Sequence, residues 1–245
     1  MKKLKDADIS DGIKAYNLSR LINGGFKVPD GFVLNESDII KILSGNTTEF
    51  RDYFSDSDSL YTSAVRISLK HKNSEYYSFD ETFISKMCVN KNPDKLIQAI
   101  NYVISCAKDN HQDIFDHNKE LPFNIIIQNM IEDTALIGIA FSNAVDENGK
   151  EIIRIEASDV HAEKIKQGNL SSSLINVLKN DLNNDDVLID VYGKSYDYSK
   201  MADLAREVYK IEKYYGEPVK TEWCISKGEI FFVQVDTMNE TSICT

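Results

Sequence analysis

The spacing of apolar residues along the chain changes between a helical period and a strand period. Apolar positions at helical spacing predict helices over residues 12–21, 93–107 and 198–215. Asp11 is a suitable cap for the first of these helices, and Gly24-Gly25 supplies a stop signal after it. A shorter helix is predicted to begin at Ser37 and to run through Ile42.

Strands are predicted where apolar runs or strict alternation replace the helical period. These segments are residues 32–34, 60–68, 123–128, 136–141 and 151–157. A hairpin is predicted from residues 219–226 and 229–235, because Lys227-Gly228 between them favours a tight turn. Residues 170–199 are polar and rich in Asn and Asp, which predicts a loop-rich connection with one short helix and a short strand at 187–189.

Length and charge then limit the classes of protein and partner. The chain has 245 residues, which suits one large or two α/β lobes. It carries 28 Lys and Arg against 39 Asp and Glu, for a formal net charge of -11. Such a surface repels nucleic-acid backbones and anionic lipid, so we expect neither a nucleic-acid partner nor a membrane partner.

Cysteine usage and the N-terminal segment indicate a cytoplasmic location. The four cysteines form no C-x-x-C pair and have no metal-ligand spacing, as expected for reduced thiols. They are Cys88, Cys106, Cys224 and Cys244. The N-terminal residues lack the apolar stretch of a signal peptide, and no run approaches the roughly 18 apolar residues of a membrane span.

The predicted hairpin carries the first candidate for chemistry. Its turn places Glu222 roughly opposite Val233, and one step in register would bring Glu222 beside Gln234. Two oxygen ligands so placed suit Mg²⁺, which fills its remaining positions with phosphate oxygens and water. The alternative is an exposed Glu–Gln pair that binds nothing.

An arginine within an apolar strand is the second candidate. Arg66 lies in the run Ala-Val-Arg-Ile-Ser at residues 64–68, and a buried guanidinium needs a partner. That partner is either a nearby carboxylate or the phosphate group of a ligand, whose oxygens match the planar guanidinium. Both interpretations stay open on the strand alone, and Lys14 in the first helix carries no signal by itself.

The order of several short blocks resembles one known family. Residues 11–21 resemble its opening Gly-Gly-Lys-x-x-x-Leu, and residues 25–33, which read Gly-Phe-Lys-Val-Pro-Asp-Gly-Phe-Val, are similar to its Gly-Phe-x-Val-Pro-x-Gly-Phe-Val. Further similar blocks follow in the same order at residues 64–68, 78–82, 125–130, 138–142 and 211–234. The family is the ATP-binding domain of pyruvate phosphate dikinase, phosphoenolpyruvate synthase and rifampin phosphotransferase.

The resemblance implies an α+β fold of ATP-grasp type, in which two lobes hold the nucleotide between them. It places the N-terminal lobe at residues 1–120 and the C-terminal lobe at residues 121–245. ATP and Mg²⁺ are the implied cofactors. No residue is assigned a catalytic role.

The resemblance also implies roles for six residues. In the N-terminal lobe, Lys14 and Arg66 would contact the ATP phosphates, and Thr82 would line the phosphate loop. Gln128 would lie near the nucleotide. In the C-terminal lobe, Glu222 and Gln234 would hold Mg²⁺, which agrees with the hairpin argument.

The chain departs from the family pattern at three places. The Gly-Gln pair expected within residues 78–82 is missing, and residues 158–161 read Ser-Asp-Val-His where the family has Gly-Leu-Gly. Asp236 and Thr237 stand where the closing motif has Arg and Pro. Asp236 would either join the Mg²⁺ ligands or repel the γ-phosphate, so we expect slow phosphoryl transfer.

Two functions from different classes follow. One is ATP-dependent phosphotransfer to a separate acceptor, either a protein or a small molecule. The other is a catalytically degenerate ATP-binding module that regulates or scaffolds. The Glu222–Gln234 pair favours retained metal binding, whereas Asp236 and the shortened loop argue against retained catalysis. A structural protein that binds no nucleotide is the remaining alternative.

Overall fold

The computed structural model describes residues 1–55, 62–70, 85–110, 121–159, 173–184, 187, 189–194 and 196–238. It divides into two compact units. The first comprises Met1–Asn23 and Pro29–Met130, and the second comprises Gly24–Val28 and Ile131–Thr245. Among the described helices, none combines the length and the apolar character that a membrane crossing requires.

The first unit contains an antiparallel sheet of five strands in the order β1-β2-β5-β3-β4. Its strands are β1 (Lys2–Lys3), β2 (Gly31–Leu34), β3 (Thr62–Leu69), β4 (Ser85–Asn90) and β5 (Phe123–Asn129). Its helices are α1 (Ile13–Asn23), α2 (Glu36–Leu43), α3 (Thr48–Ser55) and α4 (Pro93–Asn110).

Both faces of this sheet are covered at its centre. Phe123, Ile125 and Ile127 of β5 belong to a core cluster with the buried side chains of α2, α3 and α4. The opposite face lies against α1, where the Ser68 hydroxyl accepts a hydrogen bond from the Ala15 N–H at 3.1 Å. Ile126 on that face is also fully buried. Burial on both faces explains the three consecutive isoleucines of β5 at positions 125–127.

Position 12, in the block that resembles the family's opening motif, requires glycine because the backbone of β3 lies very close to it. Gly12 precedes α1 with φ of 95°, and a Cβ there would overlap the Ser68 hydroxyl and lie 2.5 Å from the Ser68 carbonyl oxygen. Any side chain at this position would push α1 away from β3. The glycine is therefore required for packing α1 on the sheet.

The second unit contains an antiparallel sheet of six strands in the order β11-β10-β6-β7-β8-β9. Its strands are β6 (Thr134–Val145), β7 (Glu151–Asp159), β8 (Ser173–Leu178), β9 (Ile189–Tyr192), β10 (Val219–Ser226) and β11 (Glu229–Thr237). Its long helix is α5 (Tyr198–Tyr215), which Asp197 caps and Gly216 ends in the left-handed conformation.

Helix α5 covers one face of this sheet. It contacts β6, β7, β8 and β10. Its buried stripe is formed by Met201, Leu204, Ala205, Val208 and Ile211. Gly138 of β6 lies under the buried Trp223, and a Cβ there would overlap the Glu156 carbonyl oxygen and lie 2.6 Å from Trp223 Cζ2. Glycine at this position lets neighbouring strands and the indole pack closely.

The structure differs from the sequence-based elements in three respects. Strand β8 lies within the stretch predicted to be loop-rich, and the next strand occupies Ile189–Tyr192 instead of residues 187–189. Alternation in β8 was hard to recognise because its half-exposed positions include Leu174 and Leu178 as well as Asn176. Elements β1, β4 and α3 were not predicted either. Finally, the compact units separate after Met130 instead of residue 120, because β5 pairs with β2 and β3.

Candidate functional site

Three of the predicted site residues lie on one side of the first sheet. Gln128 pairs with Ala64, and Arg66 pairs with Ile126, so both side chains belong to the α1 face. Lys14 lies in the first turn of α1, next to the Ala15 N–H that bonds to β3. The register of β3 and β5 and the docking of α1 therefore gather these residues. Thr82 lies outside the described residues.

Lys14 is an unusual lysine because it is only 4% exposed. A buried ammonium must be compensated, and Lys14 and Arg66 each interact with other groups of the protein. Gln128 is also buried, and its Nε2 donates a hydrogen bond of 3.3 Å to the Pro29 carbonyl. The amide nitrogen of Gln128 thus ties β5 to the segment before β2.

The two predicted metal ligands of the second unit are direct cross-strand neighbours. Glu222 pairs with Gln234, and the register shifts by one residue between Glu222 and Trp223, which pairs with Phe232. Val233 is the extra residue of this β-bulge. A regular hairpin would have placed Val233 opposite Glu222, so the bulge supplies the register step that the metal hypothesis needs. Directly opposed residues lie on the same face of a sheet, a few ångströms apart.

These residues belong to the face of the second sheet opposite α5. We call it the polar face because β7, β10 and β11 place charged side chains on it, although β6 contributes Ile137, Ile139 and Phe141 there. Two positions along, Lys220 pairs with Asp236, again on that face. Glu156 and Arg154 continue it onto β7 through their pairing with Ile139 and Phe141 of β6. The intervening residues Thr221, Trp223 and Val235 point to the α5 side and are buried. The alternation of polar and apolar residues in these strands thus separates the face under α5 from the polar face.

One hydrogen bond orients the amide of Gln234. Its Nε2 donates to Asp236 Oδ2 at 2.8 Å. The oxygen is the amide atom that binds cations, and this hydrogen bond engages the nitrogen instead. If Gln234 holds a metal, Asp236 would orient it as outer-shell carboxylates orient metal ligands, and nothing in the sequence indicated this contact.

The donor set of this pair fits Mg²⁺ only with additional ligands. No group of three or more His, Cys, Asp and Glu within the described segments is arranged to hold a metal ion. The Glu222 carboxylate and the Gln234 amide supply two oxygens, and Mg²⁺ commonly takes one or two protein ligands and completes its shell with phosphate oxygens and water. The pair therefore fits a metal that arrives with a phosphate ligand better than a bare metal.

Two cations on the polar face were missed by the sequence analysis as site residues. Arg154 donates from Nη2 to the Val145 carbonyl at 3.3 Å, and its buried Nε has no hydrogen-bond partner among the described residues. Lys220 lies opposite Asp236 and is half-buried. The alternation in β7 already placed Arg154 and Glu156 away from the apolar face, whereas Lys220 had no signal until the hairpin register was known.

A cavity of about 380 Å³ in the first unit lies elsewhere. It is bounded by β4 and α4 and is lined by Lys86, Met87, Cys88, Val89, Asn90, Lys95, Gln98, Ala99 and Tyr102. None of the predicted site residues that the structure describes lines it. The cavity and the candidate site are therefore separate features.

Comparisons with known proteins address the fold. No protein-family model matches the chain, and no curated protein matches it. Among solved structures, D-alanine-D-alanine ligase from Helicobacter pylori is 12% identical with a TM-score of 0.46, over 89% of this chain and 51% of that chain. L-amino acid ligase from Bacillus licheniformis is 11% identical with a TM-score of 0.46, over 93% and 43%. The chain thus spans about half the length of these two ligases.

A third similar structure matches over nearly the whole of both chains. It is dinucleotide forming acetyl-coenzyme A synthetase 1 from Ca. Korarchaeum cryptofilum, in complex with coenzyme A, Ca-AMPCP and HgCl+. The identity is 10% and the TM-score 0.52, over 91% of this chain and 90% of that chain. The similarity shows the fold, and the predicted α+β, two-lobed fold of ATP-grasp type is confirmed.

Proposed function

We propose that this chain is a Mg-ATP-binding domain of the type found in pyruvate phosphate dikinase and phosphoenolpyruvate synthase. The observation that carries the proposal is the bulge at Val233, which pairs Glu222 with Gln234 on the polar face of the second sheet. Bulges of this kind often re-aim side chains next to active sites. If the two strands paired regularly, Val233 would lie opposite Glu222 and Gln234 would lie on the other face of the sheet.

The first unit supports the phosphate part of the proposal. Lys14 and Arg66 share the α1 side of the sheet with Gln128, and two buried or half-buried cations there suit a polyanionic ligand. We assign phosphate contacts to Lys14 and Arg66 and a place near the nucleotide to Gln128. Thr82 keeps its assignment to the phosphate loop from the family resemblance alone.

The solved synthetase supports a nucleotide as the ligand. That protein has the same fold and is in complex with Ca-AMPCP. A metal-bound nucleotide is therefore a reasonable ligand for this chain as well, with Mg²⁺ held by Glu222 and Gln234. The specific family rests on the motif resemblance.

The reaction that we propose is phosphoryl transfer from ATP to a separate acceptor, a protein or a small molecule. The alternative is a regulatory or scaffold module that binds ATP without turnover. Asp236 favours this alternative, because it stands where the family has an arginine and its carboxylate bonds to Gln234. A carboxylate at that place does not stabilise the charge of a transferring phosphoryl group.

Thermal unfolding with Mg-ATP tests the binding proposal. At 100 times its Kd, Mg-ATP should stabilise the chain by about 2.7 kcal/mol, or roughly 5–10 °C in Tm. Arg66→Ala should abolish this gain. Arg51→Ala is the matched control, because Arg51 is an exposed arginine of the same unit that pairs with Asp94. If millimolar Mg-ATP leaves the Tm of the unmodified chain unchanged, the proposal is wrong.

The metal assignment needs its own variant. Glu222→Ala should weaken the Mg²⁺ dependence of ATP binding in calorimetric titrations, whereas Glu229→Ala should not. Glu229 is an exposed glutamate of the same hairpin that pairs with Lys27, so both variants remove one carboxylate from the same element. Equal effects of the two variants would show that the hairpin acts only through its net charge.

Turnover separates the two functions. We expect slow phosphoryl transfer from the unmodified chain and faster transfer from Asp236→Arg. Rates on the order of 1–100 s⁻¹, as in kinases, would show that Asp236 causes no catalytic loss.

A further inference from the structure

A lysine on the polar face of the second sheet stands beside the candidate metal ligands. Lys220 pairs directly with Asp236, and the next pair on that face is Glu222 with Gln234. Successive pairs on one face are about 7 Å apart along a strand. The flexible four-carbon stem of a lysine can span much of that distance. The Lys220 ammonium can therefore reach the space in front of the Glu222–Gln234 pair.

The register alone would suggest that Asp236 neutralises Lys220, but the side chains are arranged differently. The Asp236 carboxylate accepts its hydrogen bond from Gln234 Nε2 on its own strand. Within the described part of the chain, the Lys220 ammonium forms no ion pair and no hydrogen bond. A half-buried lysine on a face that α5 does not cover is therefore available to a ligand.

We propose that Lys220 binds the phosphate oxygens of the nucleotide at this hairpin. This inference rests on the proposed function. In the resembled family a cation stands at the position of Asp236 on β11, whereas here the cation stands directly opposite it on β10. The cation is thus supplied by the neighbouring strand, and Asp236 is left to orient the Gln234 amide.

This assignment changes the meaning of Asp236. Considered alone, a carboxylate in place of an arginine reverses the charge beside the phosphates. Together, Lys220 and Asp236 contribute one positive and one negative charge, so they repel a polyanion less than Asp236 would alone. Nucleotide binding is then compatible with Asp236.

Calorimetric titration of Mg-ATP tests the proposal with the full chain. Lys220→Gln should weaken binding about tenfold or more, as expected for the loss of a charge-assisted hydrogen bond. Lys220→Arg should bind nearly as tightly as the unmodified chain. Lys150→Gln is the matched control, since Lys150 is an exposed lysine in the turn between β6 and β7 and its loss changes the net charge equally. Circular dichroism checks that each variant folds.

A double variant provides the strongest test. If a cation at this place is what matters, Lys220→Gln combined with Asp236→Arg should recover binding relative to Lys220→Gln alone. If the unmodified chain binds Mg-ATP and Lys220→Gln binds equally well, the Lys220 assignment is wrong while the proposed function stands. If the unmodified chain does not bind Mg-ATP, both are wrong.

Discussion

The two sheets of the molecule differ in how many of their faces are covered. In the first, the central strand β5 has α2, α3 and α4 on one face and α1 on the other, and its residues are buried on both. In the second, α5 covers one face, and the other carries charged side chains of β7, β10 and β11 beside exposed or half-exposed apolar side chains of β6. The proposed phosphate-binding residue Lys14 is therefore buried inside the first unit, whereas the proposed metal ligands of the second unit lie on a face that α5 does not cover.

This difference has a cost in the first unit and a benefit in the second. A buried cation or amide needs compensating contacts, so Lys14, Arg66 and Gln128 serve the fold as well as any ligand. Residues on the polar face of the second sheet can change with little effect on packing. A departure such as Asp236 is therefore easier to accommodate on that face than a comparable change under α1.

The largest expected effects are losses of stability in the core of the first sheet, and they test whether both of its faces are covered. Phe123→Ala opens a cavity on the face of α2, α3 and α4, and Ile126→Ala opens one on the α1 face. Because both faces are covered, we expect losses in the free energy of unfolding of about 3–5 and about 2–5 kcal/mol. Urea denaturation of each variant measures them. A loss in the free energy of unfolding below about 1 kcal/mol for Ile126→Ala would show that α1 does not pack tightly on its side of the first sheet.

Adjacent residues of β7 sharpen the contrast in the second sheet. Ile155 is fully buried on the α5 side, so Ile155→Ala should cost about 2–5 kcal/mol. Glu156 is exposed on the polar face, so Glu156→Ala should change stability by no more than about 0.5 kcal/mol. Both are measured in the same urea titrations. Similar losses for the two variants would mean that both faces are covered.

The half-buried carboxylate of Glu36, at the periphery of the first unit, gives a prediction for the pH dependence of stability. Burial raises the pKa of Glu36, but the Leu121 N–H at 2.9 Å and the Lys70 ammonium at 3.0 Å outweigh it and hold this pKa below its usual range. The stabilisation is therefore present at neutral pH and is lost as the pH falls below about 4 toward the lowered pKa.

The corresponding variant is Glu36→Gln. It should cost about 1 kcal/mol at pH 7 and flatten the pH dependence of stability in the acid range. Glu49→Gln is the control, because Glu49 is a mostly exposed glutamate that pairs with Lys41. An unchanged acid profile in Glu36→Gln would contradict the assignment.

The smallest expected effect is a difference in cysteine reactivity. It shows how far along β10 the side chains of the polar face stay accessible. Burial raises the pKa of the Cys224 thiol to about 11, although the residue follows Glu222 on the same face of β10. At pH 8 its thiolate is scarce, so iodoacetamide should label the exposed Cys88 much faster than Cys224. Mass spectrometry of the labelled peptides measures both. Equal labelling rates in the folded chain would show that the accessible part of the polar face continues past Cys224.

The same contrast explains what the sequence could predict. The apolar run of β5 and the helical stripe of α5 were visible because packing dictates their period. The turn at Lys227-Gly228 was visible because its residues suit a tight hairpin, and both adopt positive φ angles of 50° and 78°. These features establish the α+β class and the order of its main elements.

The parts that escaped prediction depend on register and on contacts between distant segments. The bulge at Val233 has no sequence signature, because it is a shift in the pairing of two strands and no residue type in β11 marks where that shift occurs. Lys220 could be proposed as a phosphate-binding residue only after that register was known. Strand β8 escaped because its half-exposed positions mix apolar and polar residues, so its alternation was weak.

The bulge determines which side of the sheet each residue beyond it faces. If the strands lost the bulge and kept Val233, the change would act like a frameshift in three dimensions: Val235 would turn outward, and Gln234 and Asp236 would turn toward the buried side. Deleting Val233 would have no such effect, because Gln234 would then follow Phe232 directly and the pairs on both sides of the bulge would be unchanged. The surface is therefore set by the presence and position of one extra residue, so deletion of Val233 should be tolerated better than insertion of one residue beyond it.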